Sequence, residues 1–453
     1  MNSSFKVAAS AMPRSLKTFG CLLWLVGISP VLIESDAYRY ASFILIVIAL
    51  IYYVKERDRP SSNWLAWLCM GWGLYVILRF AFIYLKTPHH DLGASDWLYA
   101  FPLFFPILGV AFALYETEME KTIAAFFLIA LCMLVVTVAI GMPRILSGEA
   151  VVPLIMHNQI HGAVACGLIF VATTFWLLHY LTSSTSKRTF ARFAYIAAPI
   201  IMVFCMIAIY GAKSKGVWLA LGITLPLLAI AALRYVKVRA GVVMVGCAAA
   251  LLVVSVYTVR HNIDQTAGPT TQAAFSMISD FARSRDISET MTQAIQSPWT
   301  PASMDQRLQL WSNSWEVFSA APVFGWGNQW LERWHQARYT SVSYTLLHNG
   351  YLEILVRFGM FGALVMSAIL VGLGRSVWRA CRQGIVPPAA MHTYFVCIFF
   401  FSLTLLSNSN NRLAIGESLS LITSAFGCWC TLRLREHPIA RGDELSASVT
   451  RHQ

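Results

Sequence analysis

Hydrophobic runs of about 17 to 25 residues, each long enough to cross the roughly 30 Å hydrocarbon layer of a bilayer, recur along almost the whole chain. They fall near 18–34, 38–54, 63–85, 96–116, 122–141, 158–182, 192–211, 215–234, 239–259, 346–373, 388–407 and 412–433. This pattern predicts an all-α polytopic membrane protein with about twelve transmembrane helices. Composition agrees, because only 12% of the residues are charged and 57% are hydrophobic, against about 25% charged in soluble domains. The mean hydropathy is +0.60.

The positions of Lys and Arg orient the spans, since cytoplasmic loops are enriched in them. With the N-terminus inside, most of the 34 basic residues fall on the cytoplasmic side, and both termini are expected there. The short outer loops hold few basic residues. One long polar stretch, 260–345, then lies outside between the ninth and tenth spans. The expected organisation is spans one to nine over 1–259, an outer helical loop over 260–345, spans ten to twelve over 346–435 and a cytoplasmic tail over 436–453.

The net charge of +12 is mostly this orientation signal, and no basic stripe interleaved with aromatics points to nucleic acid. The ten cysteines lie in spans or near the cytoplasmic face, so neither structural disulfides nor a thiolate metal site is expected. His157 and His161 are spaced i and i+4, but no third ligand or zinc protease motif accompanies them, and lining of a polar cavity is the expectation. The acids of the long loop are scattered, with no paired carboxylates to hold Mg²⁺ or Mn²⁺ on a sugar diphosphate. A phosphate-binding loop and a Gly-x-Ser-x-Gly turn are both missing from the sequence.

Within the long loop, Thr270 to Arg283 reads as an amphipathic helix with Phe275, Ile278 and Phe281 on one face. Ser303-Met304-Asp305-Gln306 reads as a capping box opening a second helix, which Pro322 and Gly325-Trp326-Gly327 stop. Arg307 sits in the first turn of that helix, beside its apolar face, with Asp305 and Glu316 as the ordinary partners for a surface arginine. Lys213 and Lys215 occupy a tight turn between two spans, where ammonium groups near hydrocarbon are costly unless paired or wet. Arg79 lies inside the third span near its outer end, Lys86 follows one and a half to two turns on, and Arg144 sits in an outer turn. Snorkelling to lipid head groups accounts for several of these equally well. His348 opens the tenth span, placing a titratable imidazole at the membrane face.

A base, several cations and a membrane suit transfer from a lipid-linked diphosphate. Charge that builds on the leaving phosphates is stabilised by preorganised Arg and Lys groups. A neutral histidine can take the proton of the attacking hydroxyl. Three segments then resemble the bacterial O-antigen ligase and polymerase superfamily. They are Lys213-Ser214-Lys215-Gly216 before a span, Arg307-Leu308-x-x-Trp311 followed by Pro322-x-x-Gly325-x-Gly327, and His348-Asn349-x-x-Leu352 running into Arg357-Phe358-Gly359. Together they cover roughly 205–365, and Ser214-Lys215-Gly216 stands where the family usually has Ser-Arg-Gly, so Lys215 keeps the charge but loses the bidentate fork.

The resemblance implies an O-antigen ligase of the bacterial inner membrane, working at its periplasmic face without metal, ATP or other cofactor. The implied donor is O-antigen on undecaprenyl diphosphate, and the implied acceptor is a sugar of lipid A-core. It gives His348 the role of base and Arg307 with Lys215 that of gripping the diphosphate, supported by Lys213, Arg144, Lys86 and Arg79. One-step displacement would invert the anomeric centre. An O-antigen polymerase and a protein O-oligosaccharyltransferase share this donor. A twelve-span transporter or flippase is the rival of another class, disfavoured because the chain lacks duplicated halves, and a purely structural scaffold would not need cations clustered at one face.

Overall fold

In lipid every backbone N–H and C=O must be satisfied inside the chain's own secondary structure, and the protein meets this with helices. The computed structural model describes residues 12–55, 63–86, 94–183, 188–235, 268–280, 282–283, 285–342 and 344–436. Its α-helices are α1 (Arg14–Ile28), α2 (Ala37–Lys55), α3 (Trp64–Lys86), α4 (Phe105–Tyr115), α5 (Met119–Leu146), α6 (Gln159–Thr182), α7 (Arg188–Gly211) and α8 (Lys215–Ala232). Then follow α9 (268–280), α10 (Ile287–Gln296), α11 (Ala302–Ala320), α12 (Trp330–Trp334), α13 (Gly350–Arg382), α14 (Pro388–Leu405) and α15 (Ala414–Glu436). Among the described residues the one strand-like pairing is an isolated bridge, Ile33 to Ile155.

Eight helical segments among the described residues are long and apolar enough to cross a membrane. One of them, Trp97–Leu146, runs 50 residues and holds two of the expected spans joined by the short turn Glu116–Glu118. The fourth span opens as a tight 3-10 stretch, Ala94–Phe104, where Pro102 and Pro106 remove helix donors. The first expected span is shorter than the sequence suggested. α1 has 15 residues and gives way to a 3-10 turn at Ser29–Val31 around Pro30. The ninth, 239–259, lies outside the described residues. The twelfth is present as α15, but Glu417, Arg433 and Arg435 make it more polar than the eight. Its charges are used between helices: Glu417 meets Arg39 of α2 at 2.9 Å, and Arg433 pairs with Glu116.

Two apolar cores form the bundle. One surrounds α6, which is 78% buried where its neighbours are 22–39% buried, and draws on α5, α7, α8 and α14. The other joins α1 to α4 with α13 and α15. A third core, in the loop helices, packs Leu310, Val317, Trp330, Trp334 and Leu347 against Val356. The loop is thereby fixed to the start of α13.

That attachment depends on a break in α13. Gly359 has φ +62° inside an otherwise helical run, so the preceding turns form a short separate piece carrying Glu353 and Arg357. The backbone donors freed at the break find acceptors in the Pro322–Gly325 turn: Met360 N–H donates to Pro322 O at 2.8 Å and Phe361 N–H to Val323 O at 3.0 Å. Trp326 N–H returns a bond to Val356 O at 2.9 Å. A Cβ on Gly359 would overlap the Val323 carbonyl, and one on Gly325 would overlap the Arg357 backbone. Gly359→Ala is therefore expected to lower stability by at least about 1–3 kcal/mol, the cost of a strained backbone alone. Thermal unfolding of the purified protein checks this, and an unchanged midpoint would mean that the break relaxes.

Candidate functional site

The connection between α14 and α15 reads Ser407-Asn408-Ser409-Asn410-Asn411-Arg412, and it builds a polar cradle for the residues around His348. His348 itself is half-buried with φ +50°, directly before Asn349, whose side chain caps α13 through Tyr351 N–H and Leu352 N–H. Its Nδ1 lies 3.0 Å from Asn408 Oδ1. The direction of that bond follows from the residues behind it. Thr404 donates to Phe401 O at 2.7 Å, so it accepts from Asn410 Nδ2 at 3.0 Å, and Asn410 Oδ1 accepts from Asn408 Nδ2 at 2.7 Å. Asn408 is left with its oxygen toward the ring. The imidazole must donate from Nδ1, which keeps the lone pair of its neutral form on Nε2.

Burial pushes the His348 pKa below its ordinary value, the Asn408 bond partly opposes it, Arg307 lowers it further and Glu353 raises it slightly. The ring is therefore neutral at pH 7 and fit to accept a proton. Arg307 is half-buried in the first turns of α11, and burial lowers its pKa too. Neither ordinary partner reaches it: Asp305 accepts from Gln309 Nε2 at 2.7 Å, and Glu316 accepts from Arg338 N–H at 3.2 Å. Among the described residues no carboxylate forms an ion pair with Arg307. A desolvated guanidinium without a counter-charge is what an anionic ligand would complete. The expected capping box is corrected here. α11 starts at Ala302 behind Pro301, no side chain caps it, and Ser303 falls inside the first turn.

Lys215 opens α8 next to this pair. It lies within electrostatic reach of Arg307, and its Nζ donates to Thr270 Oγ1 of α9 at 2.9 Å. Gly216 allows α8 to press directly on Ser407, next to Asn408. Three segments that are remote in sequence thus bring His348, Arg307 and Lys215 to one mouth of the bundle. The remaining cations have protein partners of their own. Lys213, at φ +50°, donates to Gly148 O. Arg144 pairs with Glu149 at 3.1 Å. Arg79 donates to the carbonyls of Phe324 and Gly325, the latter at 2.7 Å, and so holds the turn that supports the α13 break. Lys86 lies 4.4 Å from the Phe82 ring centre.

His157 and His161 do not share a helix face, because Asn158 caps α6 and His157 precedes it. Both meet Glu34 instead, at 3.2 and 2.9 Å. Burial alone would raise the Glu34 pKa, but the His157 backbone N–H and His161 hold it below the usual carboxylate range. Among the described residues no group of three or more His, Cys, Asp and Glu side chains is arranged to hold a metal.

Sequence reasoning missed the ionic centre behind His348. Glu353, 0% exposed, accepts from Leu347 N–H at 2.8 Å and Ser409 Oγ at 2.7 Å, and it pairs with Arg357 and, at 3.0 Å, with Arg412. Arg357, also 0% exposed, stacks 4.1 Å over the Trp330 ring. The signal available was the i, i+4 spacing of Glu353 and Arg357 within an apolar run, where a charge needs a partner. Residues 200–367 match the family model described as O-antigen ligase, a range that includes Lys215, Arg307 and His348. No curated protein matches the chain.

Proposed function

Through residues 200–367 the chain belongs to the O-antigen ligase/polymerase superfamily, whose glycosyltransferase-like members use lipid-linked glycans, and we propose that it is an O-antigen ligase. In this reading it moves O-antigen from undecaprenyl diphosphate to a sugar of lipid A-core at the periplasmic face of the bacterial inner membrane. Twelve spans, both termini inside and the 260–345 loop outside complete the proposed topology. The observation that carries it is the convergence of a neutral imidazole and a half-buried guanidinium with Lys215, the imidazole Nε2 and the guanidinium having no carboxylate partner among the described residues.

His348 Nε2 accepts the proton of the acceptor hydroxyl as its oxygen attacks the anomeric carbon. The bond to the diphosphate oxygen breaks, and the departing charge is spread over oxygens held by Arg307 and Lys215. Attack opposite the leaving group inverts the anomeric centre. Lys213, Arg144, Lys86 and Arg79 contribute through the surrounding positive potential and, for Arg79, through the turn it holds. Neither metal nor ATP enters this scheme.

Purified protein, given undecaprenyl diphosphate-linked glycan and lipid A-core in EDTA, is expected to shift the lipid A-core band on a gel. Lengthening of the donor glycan instead would make the protein a polymerase, and glycan on a Ser- or Thr-containing acceptor protein would make it a protein glycosyltransferase. Gradient-dependent flux with no covalent product would turn the reading to a transporter.

A further inference from the structure

A second basic site lies at the other end of α13. From Gly359 to Arg382 the helix runs roughly 35 Å at 1.5 Å per residue, so its last turns reach the face of the bundle opposite His348. There a cavity of about 870 Å³ opens between the start of α3 and the last turns of α13 and α15. Arg375, Arg379 and Arg382 line it at i, i+4 and i+7, a single stripe of α13. Arg435 of α15 lines it too. Trp64 and Trp378, 63% and 49% exposed, form its apolar part.

No Asp or Glu among the described residues lines this cavity. Among the described residues no carboxylate pairs with Arg375, Arg379 or Arg382. Guanidinium groups drawn around one space repel each other. An anion in the cavity reverses the sign of that interaction.

We propose that this cavity binds the phosphate head group of an anionic membrane phospholipid. Guanidinium forks match phosphate oxygens bidentately, and basic pockets between transmembrane helices suit such head groups. The two tryptophans favour a lipid over a free phosphate, because their exposed rings belong at the boundary of head groups and acyl chains. The site is separate from the transfer chemistry, so its lipid is a bound component of the folded protein rather than a glycan donor.

The test titrates delipidated full-length protein in detergent with phosphatidylglycerol, phosphatidylcholine and glycerol phosphate, following tryptophan fluorescence. Phosphatidylglycerol is expected to bind at least about tenfold more tightly than phosphatidylcholine, and Arg375→Gln, Arg379→Gln and Arg382→Gln together are expected to remove that preference, at roughly fivefold for each arginine. Arg379→Gln alone, should the triple variant not fold, is expected to weaken phosphatidylglycerol by roughly fivefold. Equal binding of the two lipids, or undiminished phosphatidylglycerol binding by the variants, overturns the proposal. Glycerol phosphate binding as tightly as phosphatidylglycerol would make the ligand a soluble phosphate and overturn the lipid assignment.

Discussion

His348→Ala is expected to lower glycan transfer by about 10²–10⁴-fold, the range a positioned general base contributes, while leaving the protein folded. The ring sits at the rim of the cradle, half-buried, and its one hydrogen bond in the described structure is to Asn408. Its removal therefore takes away the base without dismantling the ionic centre behind it. The pH dependence gives a second readout. Burial, with Arg307 beside it, holds the His348 pKa below its ordinary value, so the ring stays neutral until the pH falls beneath about 6.5. Transfer is expected to fall on the acid side with a midpoint below that value and to be flat from there to pH 8. A variant that keeps more than about a tenth of the activity, or an acid limb centred above pH 7, would remove His348 from the role of base. A phosphate-contacting imidazolium would instead lose activity as the pH rises, because it acts when protonated.

How far the sequence carried the structure depends on whether a residue's role is local. The helices were legible from hydropathy because lipid requires long continuous apolar runs, and the tight turn at Lys213 to Lys215 stands where expected, between α7 and α8. The start of α11 was misread by two residues, because the N-cap is Pro301 rather than Ser303. In the site, Arg307, Lys215 and His348 were readable as residue types placed at a membrane face. Their supports were not, because each is long-range: Asn408 is 60 residues from His348, Ser409 is 56 from Glu353, and Arg79 is 245 from Phe324. A stretch of Ser and Asn in a short loop looks like ordinary turn chemistry until the fold brings it to the histidine. The glycine motifs carried more than their pattern suggested, since Gly325 is pressed by the Arg357–Phe358 backbone and Gly359 by that of Val323 and Gly325.

Glu353→Ala is expected to lower the unfolding free energy by about 3–5 kcal/mol, as removing one partner of a buried ion pair does. Arg357 is 0% exposed and Arg412 nearly as buried, and both address the Glu353 carboxylate. Without it, two guanidinium groups face one another in a site that water does not reach. The same substitution strips Leu347 N–H and Ser409 Oγ of their acceptor, so the residues on either side of the His348–Asn408 bond lose their common anchor at once. Glu353→Gln separates charge from shape. Its amide oxygen still accepts one of those bonds, but its NH₂ meets a donor where the carboxylate met one, and the negative charge that both arginines address is gone. It is expected to lose most of the stability that the alanine variant loses, although it fills the same space. Unfolding in an SDS titration followed by tryptophan fluorescence measures both. Wild-type stability in Glu353→Ala would mean that the arginines are compensated elsewhere, and that the His348 loop is held by the apolar contacts of Leu347 and Trp330 rather than by this carboxylate.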